Sequence, residues 1–432
     1  MAGGARRLMG VYERQTLPSG LRLLTAPMDH AQSVSCFIML AAGSRYETPD
    51  TSGIAHFAEH MFFKGTESRP TARDIGNEID GIGGEFNAFT GKEYTGYYVR
   101  CAGEHRSIAL DVLVDMLRHS KFDSEEIERE KGVIVEEMNM YFDTPRDFIS
   151  GVYDSLLYGD QPLGWDIIGR KETIRAATRD TFLGYVDRWY KPERMVVGVA
   201  GKIDGDLEAE IERLLGDLEP AETGKAATAA LPANGTPRVK IHTKASDQAH
   251  LCLGVPSYPL VHPDRYALQI LSTVLGTGMS SRLFTEVRER RGLAYYIYAV
   301  NHSYTDAGSL FSQAGVDIER IDEAITTIVA ELRTITEETV PSDELEKARN
   351  VAKGRFVLQT ESPHGLVMFG LRREVLEGEA TEPENILAGL DAVTAEDVQR
   401  VAQDVIGGHG LNLALIGPFE QDRQEQFEQL LA

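Results

Sequence analysis

The chain has 432 residues, 44 of them basic and 67 acidic, with a formal net charge of -23 and a 42% hydrophobic content. This is globular composition with enough chain for two buried cores, which rules out a disulfide-stapled miniprotein. So acidic a surface argues against nucleic acid as a partner, because a phosphate backbone would repel it.

In chain order, the opening MAGGARRLMGVYERQTLPSG has two arginines and no apolar run behind them, so no secretory leader is predicted. Two strands follow, over Leu21–Ala26 and Val34–Ala42. The apolar stretch Ser33–Gly43 is too short to cross a bilayer. A helix is expected within Gly53–Thr66, with Thr51 or Ser52 as its cap and Gly65 as its stop. The glycine-rich hairpin Gly83–Arg100 comes next, then a helix opening at Ser124 with an acidic first turn, then an apolar strand in Arg194–Asp204. Cys36, Cys101 and Cys252 are too scattered for a disulfide framework or a zinc-binding pair, which suits a reducing compartment. The expectation is a soluble, cytoplasmic protein with no membrane partner.

Glu219–Pro237, rich in Ala, Thr, Gly and Pro, reads as a linker between residues 1–218 and 238–432. Three segments on either side match in the same order. Gly53–Thr66 pairs with Asp264–Thr277, Ser124–Met138 with Ser342–Phe356, and Arg194–Asp204 with Leu411–Glu420. The pattern predicts one unit used twice. Strands and helices do not alternate strictly, so each unit is expected to be α+β, a largely antiparallel sheet with helices packed on one face. The two units are expected to face each other like a clam.

His56, Glu59 and His60 form H-x-x-E-H on the first helix, within an arc of about 100°. Two imidazoles one turn apart present two zinc ligands, with the glutamate free to act on water. On the helix from Ser124, Glu130 and Glu137 fall in the apolar line of Ile127, Val133, Ile134, Met138 and Tyr141. Carboxylates on a buried face need a cation or hydrogen bonds. Glu137 is thus a candidate ligand, and Glu130 a candidate to orient a ligand histidine or hold a proton. The second half carries Ala267, Ile270 and Leu271 at the positions of the H-x-x-E-H residues, and Ala348 and Arg355 at those of the two glutamates. All five polar residues are missing together, as expected of a functional set.

HFAEH, with Glu137 downstream, resembles the inverzincin metallopeptidases of the pitrilysin type, in the branch similar to mitochondrial processing peptidase. The resemblance runs from LPSGLRLL through HFAEHMFFKGT and EREKGVIVEEM to GMSSRLFTEVRERRGLAY. It implies one zinc per chain held by His56, His60 and Glu137, with Glu59 as the base and Glu130 in support. It also implies that Arg288 and Tyr295, by themselves an ordinary helix end and strand, contact substrate as an oxyanion-stabilising pair. Asn87, Ala88, Phe89 and Thr90 match the family's edge strand, which pairs with an extended peptide. The long glycine-rich loop of the non-catalytic processing-peptidase subunit has no counterpart in the short TVLGTGMSSRL, so presequence specificity does not carry over. The expected function is zinc-dependent endopeptidase action on unfolded or short peptides, by a homodimer. The alternatives are a non-catalytic core or assembly subunit, or the catalytic member of a heteromer.

Overall fold

The computed structural model describes residues 7–221, 224–231 and 238–432. The chain divides into two compact units, which are not its two sequence halves. One is built from the residues up to Met138, Asp166–Ala227 and Val357–Asn385; the other from Asn139–Trp165, Thr228–Phe356 and Ile386–Ala432.

The first unit holds strands β1 (Arg7–Met9), β2 (Tyr12–Thr16), β3 (Arg22–Pro27), β4 (Ser33–Leu40), β5 (Glu85–Thr90), β6 (Thr95–Ala102) and β7 (Met195–Gly201). Their order is β1-β2-β3-β7-β4-β6-β5. Only the β3–β7 pair is parallel, which gives the largely antiparallel sheet expected. The second unit holds β8 (Arg238–Thr243), β9 (Ala249–Ser257), β10 (Ala294–Ser303), β11 (Gly308–Val316) and β12 (Asn412–Gly417), ordered β10-β11-β9-β12-β8 with β8 and β12 parallel. Reading β8 to β12 for β3 to β7 reproduces the order of the first sheet without β1 and β2, so the duplication seen in the sequence is a duplication of topology.

β4 and β7 are apolar on both faces because both faces are covered. Alternate residues of β4 go to opposite sides. Cys36 and Ile38 turn away from the face that carries Phe37 and Met39. The helix Arg106–His119, from the same sequence half, contacts β4 and β6. Phe37 and Met39 instead share a cluster with Leu24, Val196 and Ala200 and with Leu366, Val367 and Leu371 of the helix Pro363–Glu377, from the far half of the chain. The second unit shows the reciprocal arrangement. Ile149, Val152 and Tyr153 of the helix Pro145–Tyr158 pack with Cys252, Phe311, Ala414 and Ile416. A boundary at 218/238 therefore does not describe the compact units: each sheet's second face is closed by a helix encoded in the other half. Both exchanged helices carry Pro at their N-terminus, where its fixed φ and missing N–H cost nothing.

Parts of the expected linker, 222–223 and 232–237, lie outside the described residues. Gly224–Ala227 carries no helix or strand and is held to the first unit, where buried Arg45 donates to the Ala227 carbonyl at 2.9 Å and Arg194 to that of Gly224. Among the described residues no helix is long and apolar enough to cross a membrane.

Candidate metal centre

The helix carrying H-x-x-E-H spans Ile54–Phe62, and its inner face, Ile54, Ala55, Phe57, Ala58, Met61 and Phe62, is buried. Its start differs from expectation. Neither Thr51 nor Ser52 caps it. Gly53 occupies the N-cap with φ of +93° and no capping side chain of its own. The Glu47 carboxylate takes that role, accepting the Gly53 and Ala55 N–H groups at 2.8 Å each. Burial pushes the Glu47 carboxyl up, against the pull of those N–H donors and the Lys92 charge.

The second helix runs over Ser124–Asp143, and its buried line is Ile127, Glu130, Ile134 and Met138. Val133, expected in that line, is 51% exposed. The helix is rotated so that Glu130 lies inside and Glu137 at the margin, where a carboxylate can face the first helix without full desolvation.

His56, His60 and Glu137 converge, with one ligand atom from each within 4.8 Å of the others. The two Nε2 atoms lie 3.5 Å from Glu137 Oε1 and Oε2 respectively. Ligands on a tetrahedron with bonds of ~2.1 Å stand about 3.4 Å apart, close to each nitrogen's distance from its nearer Glu137 oxygen, and two imidazoles with a carboxylate suit zinc in chemistry. His60 Nδ1 lies 2.9 Å from Glu130 Oε1, and Lys64 Nζ lies 2.5 Å from Glu130 Oε2. An Nδ1–H donated to Glu130 leaves the Nε2 lone pair free for a metal. Burial raises the Glu130 carboxyl, but the hydrogen bonds from His60 and Lys64 outweigh it, and the group sits below the usual carboxylate range. The His56 imidazole likewise draws Glu137 down, more strongly than burial raises it. His56 differs from His60 in one respect: its buried Nδ1 has no partner among the described residues.

Glu59 lies on the same helix, and Thr90 donates to its Oε2 at 2.5 Å. Thr90 is the last residue of β5, which forms the edge of its sheet. Phe86, Ala88 and Thr90 alternate to one side of that strand, where Phe86 meets Phe63 at a ring separation of 5.6 Å. Asn87 and Phe89 point the other way, Phe89 towards Tyr94. Thr90, at the end of the strand expected to pair with peptide, directs its side chain to Glu59.

Arg288 and Tyr295 belong to the second unit. There the guanidinium lies 5.6 Å from the Tyr295 ring, and Tyr295 is 71% exposed at the start of β10. In that unit Ala267, Ile270, Leu271 and Ala348 are buried core residues. Four of the five positions in the second copy have become packing, and the fifth, Arg355, is exposed.

Three contacts escaped the sequence reading. Lys64, four residues after His60 in FFKGT, offered a spacing signal. Glu47 and the Thr90–Glu59 bond offered none, because the loop and strand that deliver them meet the helix only in the fold.

These features define a duplicated α+β protein whose first unit holds, among the described residues, a His-His-Glu cluster able to take a metal. Residues 22–171 match the family described as insulinase (peptidase family M16), and residues 176–352 match the peptidase M16 inactive domain. The chain is 38% identical to the uncharacterized zinc protease YmxG of Bacillus subtilis (strain 168) over 408 residues, 94% of this chain and 98% of that one. It is 35% identical to an uncharacterized zinc protease of Streptomyces coelicolor over 430 residues, 98% of this chain and 93% of that one. A protease of Helicobacter pylori of known crystal structure shares the fold with a TM-score of 0.87 at 22% identity, over 94% of this chain and 99% of that one. The chain belongs to peptidase family M16.

Proposed function

We propose that the chain is a zinc-dependent endopeptidase acting on extended peptides, in the manner of a processing peptidase. The observation that carries this reading is the convergence of His56, His60 and Glu137, with Glu59 on the same helix as the two histidines. When bound, zinc supplies Lewis-acid polarisation of the scissile carbonyl and of a water. Glu59 takes the proton of the attacking water and passes it to the departing amine, while the Thr90 hydroxyl holds its carboxylate in place. Glu130, itself held by Lys64, orients His60. The outer edge of β5, over Asn87–Thr90, offers main-chain N–H and C=O groups to an extended substrate, a pairing that tolerates many sequences. Arg288 and Tyr295 are assigned to the oxyanion.

The test is to incubate purified chain with a mixed peptide library, with and without chelator, and read cut sites by mass spectrometry. Chelator-sensitive cleavage that is abolished by Glu59→Gln, with zinc retained at one per chain, is the expected result. Cleavage surviving that substitution would remove Glu59 from its role. The absence of cleavage by the zinc-loaded chain alone would favour a non-catalytic subunit, or a catalytic one needing a different partner. A homodimer in the cytoplasm is part of the proposal, and light scattering of the purified chain tests the dimer.

A further inference from the structure

The two metal-binding histidines are held differently. His60 has a carboxylate on its Nδ1, whereas His56 has no such partner among the described residues. The position of His56 therefore depends on the backbone turn that carries it, the first of the helix Ile54–Phe62. First-turn N–H groups have no intrahelical acceptor, and here two of them, from Gly53 and Ala55, are taken by the two oxygens of Glu47, which is 6% exposed. Ala55 immediately precedes His56.

The same turn is constrained on its other side. A Cβ on Gly53 would come within 2.7 Å of the Ile168 carbonyl and 2.9 Å of Gly169 Cα. Thr173 Oγ1 donates to the Ser52 carbonyl at 2.5 Å. Only a glycine fits between Glu47 and this backbone, with φ in the left-handed region.

The duplicated unit supplies a comparison. The corresponding helix, Arg265–Gly276, is entered through Tyr258–Pro263, a segment without a single carboxylate. Asp264, at its N-cap, makes no capping hydrogen bond and pairs with Arg400 at 2.6 Å instead. The copy that lacks the metal ligands also lacks this carboxylate clamp, although its helix forms equally well. Helix formation alone does not require it.

We propose that Glu47 is a positioning residue for the metal centre: by accepting the Gly53 and Ala55 N–H groups it fixes the first helical turn and thereby the His56 imidazole. The proposal rests on the zinc reading above. A glutamine at position 47 can accept one of the N–H groups through its oxygen but turns its own NH2 against the other, so the turn must loosen or tilt.

The test compares the full-length parent, Glu47→Gln, and Thr71→Ala, which removes the cap of a different helix in the same unit. In metal-free protein, amide exchange across Gly53–Phe62 is expected to accelerate in Glu47→Gln and not in Thr71→Ala. The zinc Kd, from chelator competition, is expected to rise about 10–100-fold in Glu47→Gln only, as for other groups that orient a ligand. The visible bands of the cobalt-loaded protein should shift with it. A parent that binds zinc and a Glu47→Gln variant that matches it in Kd and exchange would overturn the proposal alone. A parent that binds no zinc would overturn the zinc reading, and the role assigned through His56 with it. If Glu47→Gln fails to fold, Glu47→Asp keeps the carboxylate but is too short to reach both N–H groups, and the same outcomes apply.

Discussion

The Thr90 hydroxyl donates to Glu59 Oε2 at 2.5 Å, joining the last residue of the edge strand β5 to the carboxylate that stands between His56 and His60 in the sequence. A single hydrogen bond to a charged group is worth about 1.5–3 kcal/mol. Thr90→Val keeps the shape and removes the donor. It should lower kcat by about 10–100-fold with zinc content unchanged, whereas Thr90→Ser should retain most activity. Steady-state kinetics with parallel metal analysis checks this, and equal kcat for Thr90→Val would show that the bond does not position the base.

Within the cluster of His56, His60 and Glu137, Glu130 hydrogen-bonds to His60. Glu130→Gln should weaken zinc binding by about 10–100-fold without abolishing it, in line with other partners of ligating histidines. Lys64→Met leaves the Glu130 carboxylate with one donor fewer, so it should weaken binding less. Zinc competition titrations on both variants would rank the effects, and a larger loss for Lys64→Met would reverse the chain of support drawn here.

The loop after the helix Ile54–Phe62 is tied down by Asp115, which accepts from Thr66 Oγ1 at 2.5 Å and Arg69 Nη1 at 2.8 Å, with His119 Nδ1 at 3.0 Å. Burial raises its carboxyl, yet the bonds to Thr66, Arg69 and His119 prevail and hold it below the ordinary value. The folded state thus favours the ionised form. Its contribution to stability is fully present above the unfolded pKa of about 3.9 and is lost as pH falls through the lower folded value. Urea unfolding at stepped pH should show a decline at the acid end that Asp115→Asn flattens. Parallel pH profiles for parent and variant would contradict this.

Leu371 is fully buried against the sheet of the first unit, although it comes from the far half of the chain. Leu371→Ala should cost about 2–5 kcal/mol, the range for an apolar truncation in a packed core. By the same reasoning a fragment ending at residue 218 lacks the helix that covers Phe37, Met39 and Val196. It should bind hydrophobic dyes and unfold without a sharp transition. A cooperative, dye-silent fragment would show that the exchanged helix is dispensable.

The sequence by itself determined a good deal. Helical spacing placed His56, Glu59 and His60 on one face, and the loss of all five polar residues from the second copy marked them as a set. Apolar runs placed strands at Leu21–Ala26, at Val34–Ala42 and within Arg194–Asp204. These are properties of contiguous segments, where the helical or strand repeat fixes which side chains are neighbours. The tertiary structure decided the rest. It rotated the Ser124–Asp143 helix so that Glu130, rather than Val133, lies inside, and it brought Glu47 and Thr90 to a helix they are remote from in sequence. It also chose which helix closes each sheet. An apolar face must be covered to leave water, but burial is non-directional and does not specify which apolar partner covers it. The pairing of Pro363–Glu377 with the first sheet, and of Pro145–Tyr158 with the second, is therefore fixed by packing shape that no single segment contains.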